Sequence, residues 1–168
     1  MCFKVLRYNN LKFSNQQSAI SKTQSGILLI NLGTPDTPHT REVRIFLREL
    51  LSCKRVLDIN PVWRWLLVNF VILPFRSRKS AKAYRKIWLE DGSPLLVYSQ
   101  KLKNALGEQL SEEKIPVELG MQCGRPSLKT AIAKLRGQNC DQIIVLPLYP
   151  QYASSSFGAA IEDLYKVI

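Results

Sequence analysis

Three short apolar runs, each stopped by a glycine or proline turn, alternate with stretches whose apolar residues recur at helical spacing. That alternation confines the chain to an α/β fold. The runs are Gly26–Gly33 (GILLINLG), Ile115–Met121 (IPVELGM) and Gln142–Leu148 (QIIVLPL). Runs of this length bounded by turn residues read as buried strands. Between them, Val43, Phe46, Leu47, Leu50 and Leu51 fall on one side of a helix, with Arg41, Arg44 and Arg48 on the other. Thr40 is placed to cap that helix. Pro61 opens a very apolar segment, Val62 to Phe75, followed by a basic helix from Ser77 to Leu89 and a fourth from Leu95 to Leu110. A further helix spans Leu128 to Leu135, and a last one starts near Ser156. Strands alternating with helices imply parallel strands joined by right-handed crossovers. The expected fold is therefore a three-layer, Rossmann-like parallel sheet with flanking helices.

In such sheets ligands bind beyond the carboxyl ends of the strands. Three loops meet there, Gly33–His39, Gly124–Leu128 and Pro147–Gly158, all rich in Pro, Gly, Ser or Tyr. The first lacks the G-x-G-x-x-G of dinucleotide sites and the G-K-[ST] of P-loops, so phosphate cofactors have no support. The third, Leu146 to Gly158, carries Tyr149, Tyr152 and three serines. The serines suit a helix cap, and so many polar groups at a strand end also suit the lining of a cleft.

A length of 168 residues suits one domain, with 26–168 as the domain and 1–25 as a flexible arm. The arm is polar from Ser14 to Ser25 apart from Ala19 and Ile20. It has no apolar core of signal-peptide length. A transit peptide is a second reading, against which arginine is scarce. Cys2, Cys53, Cys123 and Cys140 form no C-x-x-C pair, and His39 is the one histidine, so no zinc site is expected. Scattered free thiols fit a reducing compartment, and a cytoplasmic location, with or without peripheral membrane contact, is the expectation.

Two neighbouring segments carry the most chemistry. Pro61–Phe75 holds Trp63, Trp65 and Phe70 in a nearly unbroken apolar run, too short for a transmembrane span of ~20 residues. It reads either as a buried core helix or as an exposed lip for a membrane surface or a flat apolar ligand. Arg76, Arg78, Lys79, Lys82, Arg85 and Lys86 follow, six cations within eleven residues and no acid. They are a solvated helix face or an anion site set against the lip. With a net charge of +11, the chain favours anionic partners. An amphiphile with a flat apolar body and carboxylates on its rim satisfies both segments.

The motifs LLINLGTPD (Leu28–Asp36), LPFRSRKSAKAY (Leu73–Tyr84), GSPL (Gly92–Leu95) and LPLYPQY (Leu146–Tyr152) occur in an order and spacing that resembles the ferrochelatase family. Members of that family insert ferrous iron into a porphyrin. The resemblance runs from Gly26 to Ile168 and stops where roughly half a family member would remain. It implies two similar α/β domains with the porphyrin in the cleft between them, this chain being the N-terminal one. It further implies porphyrin contacts from Leu32, Arg76, Tyr84 and Ser93, with Tyr149 and Tyr152 lining the same cleft and Arg76 paired with a propionate. The substrates implied are ferrous iron and protoporphyrin or coproporphyrin, and the partner implied is a C-terminal ferrochelatase half.

The chain also departs from the family pattern. The family's metal-site histidine and its acidic partner lie in the half not matched, and His39 does not replace them by motif. Cys123 stands where relatives usually have tyrosine. Ser154 stands where cluster-bearing members can have cysteine, so no permanently bound cofactor and no iron–sulfur cluster are expected. No catalytic residue is therefore assigned within the chain. Two other readings stay open: a stand-alone tetrapyrrole- or membrane-surface-binding module, and a basic nucleic-acid-binding domain. The porphyrin reading expects no nucleic acid.

Overall fold

A computed structural model describes residues 4–7 and 24–168. Three strands lie parallel at its centre: β2 (Ser25–Thr34), β3 (Val117–Gly124) and β4 (Gln142–Pro147). A fourth, β1 (Lys4–Arg7), pairs antiparallel with β4, giving the sheet order β1-β4-β2-β3. The parallel core matches the sequence expectation. Most of the segment read as an arm, 1–25, lies outside the described residues, but Lys4–Arg7 within it is a strand. β3 runs three residues past its expected end because pairing with β2 continues to Thr34 and Gly124.

Side chains alternate across a strand, and the two sheet faces are covered differently. On one face Leu28, Ile30, Ile143 and Val145 pack under α5 (Leu128–Gly137) and α6 (Ala159–Val167). On the other, Leu29, Leu119 and Met121 pack with Leu96, Leu106 and Leu110 at or beside α4 (Pro94–Gln109). α1 (Thr40–Ser52) forms a separate core with the helices that follow it, through Val43, Phe46, Leu47 and Leu51. Truncating a buried leucine in such a core typically costs about 2–5 kcal/mol.

The helix limits hold two corrections. His39, not Thr40, occupies the N-cap of α1, and it makes no side-chain cap bond; Thr40 is already the first helical residue. The two segments expected at 62–75 and 77–89 are one continuous rod: α2 (Pro61–Leu66), a π turn (Leu67–Ile72) and α3 (Leu73–Ile87). Pro74 explains the widened turn. It has no N–H to donate, and the Leu73 N–H reaches back five residues to the Val68 carbonyl. The buried positions record the same step: Val68 and Leu73 are five apart, whereas Leu73, Ser77 and Ala81 are four apart. A second π turn, Ser154–Gly158, leads into α6 with no serine cap, so the capping reading of those serines does not hold.

Candidate functional site

The strand-end loops meet as expected, and the local sequence holds them close. Gly33 and Gly124 both have positive φ, at 98° and 83°. A Cβ on Gly33 would lie 1.7 Å from the Cys123 carbonyl oxygen. One on Gly124 would lie 2.6 Å from the Thr34 carbonyl oxygen. Glycine is needed at both positions for conformation and for space. Asn31 fixes the same end of β2: its Nδ2 donates to Ser99 Oγ at 3.0 Å, and its Oδ1 accepts from the Leu32 N–H at 2.8 Å.

An apolar groove of about 550 Å³ opens here, between the end of the sheet, α3 and α4. Tyr84 and Ser93 line it together with Asn31, Tyr98, Leu102 and Leu148. Tyr84 sits edge-on to Phe46 and Trp88, with centroids 6.4 and 6.1 Å away, and burial raises its phenol above the usual pKa. Ser93 is 2% exposed and caps α4, its Oγ accepting from the Leu96 N–H at 3.2 Å. The Ser93 hydroxyl proton is the group it can offer a ligand. Thr34 Oγ1, buried on the groove wall, has no hydrogen-bond partner among the described residues.

The other expected residues lie around this groove rather than in its wall. Leu32, half-buried, sits between the groove residues Asn31 and Gly33. Arg76 is exposed on α3, where Leu73, Ser77 and Ala81 face inward and Ser77 Oγ donates to the Leu73 carbonyl at 2.6 Å. None of the six cations from Arg76 to Lys86 forms a salt bridge among the described residues. Tyr149 packs against the α5–α6 core, and its hydroxyl donates to Gln122 Oε1 at 3.2 Å. Gln122 in turn donates to Asp163 at 3.1 Å. Burial pushes the Tyr149 phenol well above its ordinary pKa. Tyr152 is exposed and tilts over Phe157, 5.6 Å between centroids. Its loop is tied to the α1–α2 connection by Arg55, which bonds Glu162 at 2.5 Å and Ser154 at 3.3 Å.

The apolar segment resolves into a lip. Trp63, Trp65 and Phe70 are 68%, 58% and 63% exposed, and Trp65 meets Phe70 edge-on at 5.5 Å. Val68 and Leu73 anchor the rod in the α1 core. The buried-helix alternative therefore fails for all three aromatic residues. Within the same segment, Arg64 donates to the Leu57 carbonyl at 3.2 Å.

His39 is exposed, its Nδ1 3.0 Å from Thr37 Oγ1. Burial raises the Cys123 thiol to about 12, so it is no thiolate near neutral pH. Among the described residues no group of three or more His, Cys, Asp or Glu is placed to hold a metal ion, and no helix is long and apolar enough to cross a membrane. Asn31, Ser99, Thr34 and Tyr98 were not singled out from sequence. The one available signal was Asn31, a polar residue interrupting an otherwise buried strand.

The ferrochelatase family model matches residues 24–168. A ferrochelatase of Coxiella burnetii (strain RSA 493 / Nine Mile phase I) is 50% identical over 139 residues, covering 83% of this chain and 39% of its own length. One from Marinomonas sp. (strain MWYL1) is 50% identical over 145 residues, covering 84% and 44% respectively. One from Escherichia coli O9:H4 (strain HS) is 46% identical over 147 residues, covering 88% and 45%. The chain thus spans less than half the length of these relatives. A match over the whole described α/β domain, at this identity, means that the chain belongs to the ferrochelatase family.

Proposed function

We propose that this chain forms the porphyrin-gripping half of a ferrochelatase, the haem-biosynthetic lyase that inserts ferrous iron into protoporphyrin or coproporphyrin. The observation that carries the reading is the apolar groove at the strand ends, walled by Tyr84 and Ser93, with unneutralised cations on the helix that carries Tyr84. The macrocycle's flat body lies against the groove mouth and Leu32. Arg76 pairs with a propionate through its planar fork, and Ser93 donates its hydroxyl proton. Tyr152 offers its ring and hydroxyl from the third loop. Tyr149 offers its ring alone, because its hydroxyl is committed to Gln122.

Insertion requires removal of two pyrrole protons, and a base titrating near neutral pH does this best. In this reading that base, and the wall opposite Leu32, come from the remaining family half as a partner. The chain's own residues supply binding energy that can bend the macrocycle toward the metal. Iron and porphyrin enter as substrates, with no resident cofactor or cluster.

Fluorescence titration of a dicarboxylic porphyrin tests the grip. Saturable binding is expected, weakened roughly two- to fivefold by Arg76→Ala, the range for an exposed ion pair. It should change little with added salt, whereas a nucleic-acid complex would weaken steeply. Equal affinity of wild type and Arg76→Ala removes Arg76 from the site.

The exposed lip supports peripheral contact with a membrane; a cytoplasmic location rests on the scattered, unpaired cysteines. Exposed tryptophans beside unpaired cations suit an anionic interface. Sedimentation with phosphatidylserine-containing vesicles should carry down the wild type and leave a Trp63→Ser, Trp65→Ser, Phe70→Ser triple variant in the supernatant. Equal partitioning of the two would exclude the lip as the contact.

A further inference from the structure

The tip of the third loop is exposed throughout, from Pro150 to Ser155, and forms neither helix nor strand before Ser154. Two adjacent carboxylates of α6 hold its two ends. The Tyr149 hydroxyl reaches Asp163 through Gln122, by bonds of 3.2 and 3.1 Å. The Ser154 hydroxyl reaches Glu162 through Arg55, by bonds of 3.3 and 2.5 Å. Lys166 joins the two carboxylates, 3.4 Å from Glu162 and 2.8 Å from Asp163. Arg55 and Lys166 keep the Glu162 carboxyl below its usual pKa, so it is ionised near neutral pH.

Arg55 stands apart within this network because it comes from the α1–α2 connection. Its planar fork bonds Glu162 and Ser154 at once. It also meets the loop's exposed tyrosine. A Cβ on Gly158 would lie 3.4 Å from Arg55 Nη1 and 3.5 Å from Tyr152 Oη, so both side chains close over the start of α6. The Tyr152 ring tilts over Phe157 on the same turn. An exposed ring held in one place before a ligand arrives binds with less loss of conformational freedom.

We propose that Arg55 and Glu162 are positioning residues for the porphyrin grip, a clasp that fixes the third loop and presents Tyr152 to the macrocycle. Neither residue touches the ligand; both act through Tyr152. The proposal rests on the reading of Tyr152 as a porphyrin contact.

Porphyrin emission titrated with wild type, Arg55→Gln, Glu162→Gln and the same two changes in a Tyr152→Ala background tests it. Tyr152→Ala should weaken binding roughly three- to tenfold, the range for an aromatic contact. Each clasp variant should weaken binding roughly two- to fivefold, as for an exposed ion pair, and should weaken it no further once Tyr152 is gone. Glu162→Gln separates the clasp from bulk charge. It makes the chain more cationic, so attraction for an anionic porphyrin alone would tighten binding, whereas an opened clasp weakens it. Tighter binding by Glu162→Gln, or equal weakening by either clasp variant with and without Tyr152, would overturn the proposal.

A second measurement needs no porphyrin. The Ser156 and Gly158 N–H groups donate to the Ala153 carbonyl at 3.2 and 3.1 Å. Their amide hydrogen exchange should quicken in Arg55→Gln and Glu162→Gln, and unchanged exchange in both would overturn the clasp whatever the titration shows. Wild-type affinity in Tyr152→Ala, with quickened exchange in the clasp variants, would instead defeat the reading of Tyr152 as a contact, and the positioning role with it.

Discussion

Gly33→Ala should lower the stability of the chain by roughly 3–5 kcal/mol. The residue has φ 98°, and the added Cβ would sit 1.7 Å from the Cys123 carbonyl oxygen. That oxygen belongs to the backbone of the neighbouring strand, so no side-chain rotation relieves the contact. β2 and β3 must separate where they are paired, at Gly33–Cys123 and Thr34–Gly124. Left-handed strain costs on the order of 1–3 kcal/mol. With the displaced pairing, the total is roughly 3–5 kcal/mol, against a native stability typically of about 5–15 kcal/mol. Gly137→Ala is the control, because nothing lies within 4 Å of its added Cβ. Urea denaturation followed by circular dichroism checks the pair. A Gly33→Ala midpoint equal to that of the wild type would mean that the strand ends do not meet as described.

The isolated chain should form no measurable metalloporphyrin from porphyrin and ferrous or zinc ion. His39 lies exposed at the start of α1, bonded to Thr37 and absent from the groove lining. Loss of a general base alone costs roughly 10²–10⁴-fold in rate, and loss of the opposing wall removes positioning as well. Adding the other ferrochelatase half as a separate polypeptide should restore turnover. Turnover by the isolated chain that survives His39→Ala would mean that the base lies neither in the other half nor at this histidine.

The sequence made the parallel sheet legible because each buried strand is apolar and each ends in a turn residue. GILLINLG has no helical reading once Gly33, Pro35 and Asp36 stop it. β1 was hidden for the opposite reason. Lys4–Arg7 (KVLR) is short and charged at both ends, and its pairing depends on a β4 edge more than 130 residues away. The lip was legible as one of two alternatives. Composition cannot tell a buried apolar helix from an exposed one; that depends on where the rod meets α1, and the five-residue step from Val68 to Leu73 sets it. Tyr84 and Ser93, each within a motif, line one groove. Asn31, Thr34 and Tyr98 were missed because their role depends on the facing surface of α4, which no local pattern encodes.

The central claim is that the groove at the strand ends grips a porphyrin, and one competition of charges tests it directly. Leu102→Glu places a carboxylate on the exposed groove rim, where it should repel propionates and remove apolar contact. Ala133→Glu makes the same change of charge on the exposed face of α5, away from the groove. The measurement is porphyrin emission titrated with wild type, Leu102→Glu and Ala133→Glu at one ionic strength. Saturable binding by the wild type, weakened by roughly tenfold in Leu102→Glu through lost apolar contact and added repulsion, and unchanged in Ala133→Glu, is the predicted result. No saturable binding by the wild type, or equal weakening by the two substitutions, would contradict it.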